Sequence, residues 1–225
     1  LNSVFAWMDR HFPDLTLAKK HPYIDSRVRQ AETALACSTA PTVCTVLEVP
    51  WVFGAIPGRA NTLWADLVNY VRGATPLISS RGGAMMISAA TTARAVRGAL
   101  SQEHSMRLPV GDAYMSWEQL LEAICRYTGR KDTRVSLIPD ALFREVSRTG
   151  GFFKALAGIE SGLEIRYLSE LLLSECRFDP HESRSVLGYR GGDLDEAIAL
   201  TVNSVPENVY LKNWRKYLNF FSPKV

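Results

Sequence analysis

Apolar residues along this chain follow two rhythms: short continuous runs, and stretches where they return every three or four positions. The clearest continuous run is Thr42-Val43-Cys44-Thr45-Val46-Leu47-Glu48-Val49, preceded by the turn signal Ser38-Thr39-Ala40-Pro41 and closed by Pro50-Trp51-Val52-Phe53-Gly54. β-Branched and almost wholly apolar, it predicts a strand covered on both faces, as in a parallel sheet. The helical rhythm predicts helices at Tyr23–Cys37, Thr62–Arg72, Thr91–Leu100, Ser116–Tyr127, Asp140–Arg148, Glu164–Cys176, His181–Leu187 and Asp193–Val202. Local chemistry supports several of these ends. Pro22 fits a helix start, where a missing N–H costs nothing. Gly73 fits a helix stop, and Ser116 with Gln119 makes a capping-box pattern. Val135-Ser136-Leu137-Ile138-Pro139 predicts a further short strand, Leu1–Trp7 the tail of a strand, and Asp9–Lys20 a polar loop.

At 225 residues and 47% hydrophobic composition the chain can bury a sizeable core as one or two domains. The 26 basic and 23 acidic residues leave a net charge of +3 that is spread along the chain. No basic block or aromatic–basic interleaving points to nucleic acid. Cys37, Cys44, Cys125 and Cys176 show no Cys-x-x-Cys spacing and read as reduced structural thiols of a cytoplasmic protein. His11, His104 and His181 have no partner at metal-ligand spacing, so no metal site is implied. Met85-Met86 read as strand core. Leu171-Leu172-Leu173 is too short to span a bilayer, and no signal-peptide pattern opens the chain. There are no internal repeats.

The candidate chemistry lies in His21-Pro22-Tyr23-Ile24-Asp25-Ser26-Arg27. Tyr23 and Arg27 are four apart and share one face of a helix. A phenol beside a permanent cation is the pairing that proton transfer by a phenol requires. Followed by a buried strand that ends in Leu47-Glu48-Val49-Pro50-Trp51-Val52-Phe53-Gly54, this pair resembles the extended short-chain dehydrogenase/reductases, the NAD-dependent epimerase/dehydratase family. That family carries Tyr-x-x-x-Lys on a helix and then a strand closing in an Arg-Pro-x-x-(Val/Ile)-(Tyr/Phe)-Gly-like stretch. Leu77–Leu100 resembles the family's next strand and helix, although Ser88-Ala89-Ala90-Thr91-Thr92-Ala93 stands where relatives carry Val-Asp-Asp-Val-Ala. Leu108–Asp112 followed by Ser116–Leu121 resembles its substrate-domain strand and capped helix. The likeness runs over residues 1–205.

The resemblance implies an α/β fold: the C-terminal part of a Rossmann-type parallel sheet with a smaller α/β substrate-binding lobe. Residues 1–105 would be the remainder of the NAD(P)-binding domain, with 55–75 partly in the lobe. Residues 106–205 would be mainly the lobe, and 206–225 an aromatic and basic tail that packs back on the domain or makes a dimer contact. The family's opening strand and glycine-rich phosphate loop have no counterpart here, since Gly82-Gly83, Gly150-Gly151 and Gly191-Gly192 read as turns. With Leu1 rather than Met in front, the sequence reads as a fragment. It is expected to expose an apolar sheet edge, and to be inactive and poorly stable alone.

The roles follow from the same likeness. Tyr23 would act as general acid/base toward a substrate hydroxyl, Ser3 would orient the substrate oxygen, and Arg27 would stand where the family's lysine holds the nicotinamide ribose. Pro50, Trp51 and Val52, with Tyr23 and Arg27, would line the cofactor, NAD or NADP. Arg27 keeps the charge but is not a neutral swap for lysine, while Lys19 and Lys20 lie off its helical face. Trp51 does not match the polar residue with which many sugar epimerases touch the sugar. His21 reads as a loop residue rather than a base, and Gly150–Gly162 as a flexible lobe over the substrate cleft. The implied activity is an NAD(P)-dependent epimerase, dehydratase or reductase acting on a nucleotide-sugar-like small molecule, with no nucleic-acid or membrane partner. A homodimer through the Tyr23 helix is usual in the family. The alternatives are a catalytically weak dinucleotide-binding sensor or scaffold of the same fold, or an inactive fragment.

Overall fold

A computed structural model describes residues 1–60, 64–156 and 162–206. The chain begins with β1 (Asn2–Ser3), α1 (Val4–His11), α2 (Leu17–Lys20) and α3 (Pro22–Ala36). Next come β2 (Thr45–Val49), β3 (Trp51–Phe53), α4 (Ala65–Gly73), β4 (Leu77–Ser79), β5 (Gly83–Ser88) and α5 (Ala89–Ala99). The remainder is β6 (Met106–Pro109), β7 (Ala113–Ser116), α6 (Trp117–Tyr127), β8 (Val135–Leu137), α7 (Asp140–Leu156), α8 (Leu168–Leu173), β9 (Glu175–Cys176), α9 (His181–Leu187) and α10 (Leu194–Asn203).

The long apolar run does form a central strand, but it serves two sheets. Its first half, β2, lies between β1 and β6, all parallel, with Asn2 opposite Glu48 and Leu47 opposite Leu108. Pro50 has no N–H to give to a ladder, so pairing is interrupted there. Beyond it β3 joins a second sheet, parallel to β5, which also carries β7 antiparallel and β9 parallel. A short parallel pair, β4 with β8, completes the strands. Because β6 returns to the β2 sheet, residues 106–109 belong with the strands of the first hundred residues.

Three cores fix these layers. Phe53, Val68, Leu77, Met86, Leu120, Ile124 and Ile198 join the second sheet to α4, α6 and α10. Val4, Met8, Leu17, Ile24, Leu171 and Cys176 join α1–α3 to α8 and β9. Leu47, Ile87, Ala95, Leu108 and Leu187 pack α5 and α9 on the first sheet. The small-residue character of α5 is used against α9. A Cβ added at Gly98 would run into the backbone of Leu187, and the carbonyl oxygen is the atom it meets first.

Three expectations are revised. The N-terminal stretch is not strand and loop: after β1 the chain turns into α1, with Val4, Trp7 and Met8 at helical spacing and buried. The window is too short for that rhythm to show against the polar Asp9-Arg10-His11 that follows. Thr16 in a left-handed conformation then leads into α2. The helix expected over 164–176 breaks into a 3-10 turn at Ile165–Tyr167, α8 and β9, because Cys176 leaves the helix to pair beside Ala84 on β5. The helix from Asp140 runs through Gly150 to Leu156. Residues 62 and 63, the expected start of the helix observed as α4, lie outside the described residues, as do 157–161 of the glycine-rich stretch and the 210–221 tail.

Where the C-terminal ends of α3 and α5 approach the start of β2 lies a hollow of about 580 Å³ lined by Leu1, Val43, Leu47, Val96 and Leu100. Leu1 and Leu100 are exposed there. Among the described residues β1 pairs on one side only.

Candidate functional site

The carboxyl ends of parallel strands leave a crevice where the connections diverge, and β1 and β2 make one here. Ser3 ends β1, in extended conformation, and its Oγ accepts from Phe5 N at 3.3 Å to cap α1. Pro50 ends β2. Tyr23 enters from the first turn of α3, which Pro22 starts. Between them lies a cavity of about 310 Å³ lined by Asn2, Ser3, Phe5, Tyr23, Arg27, Pro50, Trp51, Val52 and Trp64, among others. All six residues singled out from the sequence therefore line one space.

Arg27 stacks on Tyr23, its guanidinium carbon 4.9 Å from the ring centroid. Its Nη1 donates to Gln30 Oε1 at 2.8 Å, while its Nε is buried with no hydrogen-bond partner among the described residues. The opposite wall is aromatic. Phe5 meets Tyr23 and Trp51 edge-on, at 6.2 Å in each case. Trp51 in turn lies 5.8 Å from Trp64 and 5.5 Å from Trp117. Trp64 is held by its Nε1 donating to Val52 O at 2.9 Å.

Some participants were not legible in advance. Buried Asn2 accepts from Ser3 N at 2.6 Å and donates to Arg27 O at 2.8 Å, tying the strand end to α3. A polar residue beside Ser3 was the only hint. Phe5 reaches the cavity because α1 exists, so missing that helix meant missing Phe5. The run at Ser88–Ala93 lacks its acids in sequence but not in space. Asp193, at the start of α10, accepts from Ser88 Oγ at 2.7 Å, Thr91 Oγ1 at 2.8 Å and Arg94 Nη2 at 2.9 Å. Burial pushes the Asp193 carboxyl up, but these donors outweigh it and hold it below its usual value.

His21 is not in the cavity wall. It is fully buried, its Nδ1 accepting from Glu164 N at 3.0 Å, and burial is the main cause of its lowered pKa. His11 stacks on Trp7 at 4.1 Å. Met85 and Met86 are buried on β5. Among the described residues no cluster of His, Cys, Asp and Glu could hold a metal ion, and no helix is long and apolar enough to cross a membrane.

No protein-family model and no curated protein matches this sequence, but solved structures match its fold. Gox2253 superposes with a TM-score of 0.63 at 13% identity, over 81% of this chain and 55% of that one. A nucleoside-diphosphate-sugar epimerase from Pseudomonas aeruginosa gives 0.60 at 16%, over 84% and 56%. MoeE5, solved with UDP-glucuronic acid and NAD, gives 0.51 at 17%, over 81% and 55%. The chain has a Rossmann-type α/β fold like that of these structures, the nucleoside-diphosphate-sugar epimerase among them, and it spans about half their length.

Proposed function

We propose that this chain carries the proton-transfer site of an NAD(P)-dependent oxidoreductase, an epimerase, dehydratase or reductase acting on a hydroxyl or carbonyl of a nucleotide-sugar-like substrate. The observation that carries this reading is the gathering of Ser3, Tyr23, Arg27 and Pro50–Val52 around one cavity at the ends of parallel strands. Tyr23 gives or takes the proton of the substrate oxygen, and Ser3, whose Oγ keeps a proton to donate, orients that oxygen. Arg27 sets a fixed positive charge against the phenol as its proton leaves. The aromatic wall of Phe5, Trp51 and Trp64 keeps water from the reacting centre.

The residues present fit the nicotinamide–ribose end of a dinucleotide. The buried, unpartnered Nε–H of Arg27 suits a ribose hydroxyl, and Pro50–Val52 give a flat apolar floor. A nicotinamide dinucleotide, when bound, would accept or supply the hydride. A glycine-rich cradle for its phosphates is absent from the sequence. MoeE5, solved in complex with UDP-glucuronic acid and NAD, supports this cofactor and substrate class. We further infer a cytoplasmic enzyme that pairs as a homodimer through α3.

The test is calorimetry with NAD⁺ and NADP⁺ on this chain and on any longer product of the same reading frame, followed by turnover of UDP-sugars. Binding with turnover that Tyr23→Phe abolishes is the expected result. Binding without turnover would identify a dinucleotide sensor instead, and no binding by any form would overturn the reading.

A further inference from the structure

Three contacts tie the end of α2 and the start of α3 to α8 and the segment that leads into it. Lys20 Nζ donates to Glu170 Oε2 at 2.7 Å, Glu164 N to His21 Nδ1 at 3.0 Å, and Tyr23 N to Gly162 O at 2.9 Å. The approach is close enough that a Cβ on Gly162 would stand 3.2 Å from the Cβ of Tyr23. His21 occupies the position before Pro22, where Ser or Asp would ordinarily cap a helix, yet its side chain makes no capping bond. It is 0% exposed and lies edge-on to Tyr167 at 6.2 Å. Since Nδ1 accepts, the ring proton sits on Nε2, and that N–H is buried with no hydrogen-bond partner among the described residues. An imidazole kept in this costly setting has one service on view, which is to hold the amide of a residue 143 positions away.

We propose that His21 is a positioning residue for Tyr23: its neutral ring latches the Gly162–Tyr167 segment onto the first turn of α3, and its protonation opens the latch. The positioning role rests on Tyr23 being the proton-transfer group; the latch itself does not. An imidazolium has no lone pair at Nδ1, so protonation must break the bond from Glu164 N. The adjoining bond from Tyr23 N to Gly162 O then loses its neighbour. Each turn of the chain here bears on the Tyr23 backbone, which sets where the phenol stands in the cavity.

The groups facing His21 are Lys20 on its own side, Glu164 and Tyr167 on the latched segment, and Glu170 on α8. Burial is the strongest influence on the ring and lowers its pKa, Lys20 adds to that, and Glu170 and Glu164 oppose it. The balance lies below the ordinary value of 6.5. The closed latch therefore binds fewer protons than the open one over the range between its own pKa and that of a free imidazole. Stability of the latch falls as pH falls through that range.

Amide hydrogen exchange on the 225-residue chain reads the latch without any cofactor. The Glu164 amide is expected to be protected at neutral pH. After correction for intrinsic rates, it should lose about tenfold of that protection as pH falls below the ordinary imidazole value of 6.5 and through the lowered value of the buried ring, the share of one ordinary hydrogen bond. His21→Ala should show the loss at both pH values. His21→Asn offers an oxygen where Nδ1 stood and cannot take a proton, so it should keep protection at both. An unchanged Glu164 amide in His21→Ala, or wild-type protection indifferent to pH, overturns the proposal. If His21→Ala does not fold, the wild-type titration and His21→Asn decide: Asn must keep the protection and remove the pH dependence. Turnover is a separate arm. His21→Ala should lower kcat more than it raises KM, with His21→Asn restoring it. If no nicotinamide cofactor supports turnover in any form, the exchange result stands and the reading of Tyr23 falls.

Discussion

The guanidinium of Arg27 lies over the face of Tyr23, 4.9 Å from the ring centroid, and Nη1 is engaged by Gln30 at 2.8 Å. A guanidinium is planar and stacks; an ammonium is a compact point charge with rotatable donors. Stacking spreads the charge over the ring rather than concentrating it near the phenol oxygen. Arg27→Lys is therefore expected to raise kcat, by up to about tenfold, the worth of one better-placed hydrogen bond. Arg27→Met should lower kcat and cost about 0.5–1 kcal/mol of stability from the lost cation–π contact. Steady-state kinetics and urea unfolding of the two variants check both.

Tyr23→Phe separates packing from chemistry. Phenylalanine keeps the edge-on contact with Phe5 at 6.2 Å and the surface on which Arg27 stacks, and removes only the hydroxyl. Stability should stay within about 0.5 kcal/mol of wild type. Turnover should fall by about 10²- to 10⁴-fold, the usual share of a general acid/base. Equal loss of both would mean that Tyr23 is a core residue.

How legible the site was follows from where each part sits in the chain. Tyr23 and Arg27 are local to one helix, and Pro50–Val52 continue one strand, so the likeness to two short family motifs, each local in sequence, brought them into view. Their meeting with Ser3 depends only on adjacent parallel strands, β1 and β2. Phe5 and Asn2 were hidden because α1 spans a mere eight residues, too few for a periodic signal. Asp193 was hidden for another reason. It lies 105 positions from Ser88, and nothing local to either segment records their contact. The break between α8 and β9 was equally invisible, since Leu168–Leu173 carries a helical pattern and the departure is decided by pairing of Cys176 beside Ala84.

The four thiols should separate cleanly by reactivity. Cys37 is exposed and Cys44 half-buried, whereas Cys125 and Cys176 are buried. Burial pushes the Cys176 thiol up to about 12 and raises that of Cys125. Thiolate is the reactive form, so iodoacetamide at neutral pH should label Cys37 first in the native chain. Cys125 and Cys176 should be labelled only on unfolding, as peptide mass spectrometry would show. Fast native labelling of Cys176 would mean that β9 leaves the sheet.

Asp193 joins α10 to the start of α5 through Ser88, Thr91 and Arg94. Its carboxyl is pushed up by burial, but the hydrogen bonds from those three groups and the charge of Arg94 take it below the ordinary 3.8. A depressed carboxylate contributes stability that is fully present above its unfolded pKa and is lost as pH falls through the folded one. Asp193→Asn should thus cost about 1–2 kcal/mol at neutral pH, the worth of charge-assisted hydrogen bonds. The gap from wild type should close as pH drops below about 4. Urea midpoints at neutral pH and in acid measure it, and a gap that does not narrow would exclude ionisation as its source.

Glu48 is the one charge on the central strand, 0% exposed, with Arg10 donating to both its oxygens at 2.7 and 2.8 Å and Arg107 3.8 Å away. Arg10 closes α1 over the sheet and Arg107 comes from β6, so the carboxylate joins three elements at one point. Desolvation makes such a cluster a poor net source of stability, yet removing one member strands the others. The Nε and Nη2 of Arg107 already lack hydrogen-bond partners among the described residues, so loss of Glu48 would leave two cations facing one another. Glu48→Leu is expected to cost about 3–5 kcal/mol. Arg10→Met added to Glu48→Leu should recover part of that, because the second change removes a cation that the first left unpaired. A double-mutant cycle in urea reads the coupling directly. Additive losses would mean that Arg10 and Glu48 act independently.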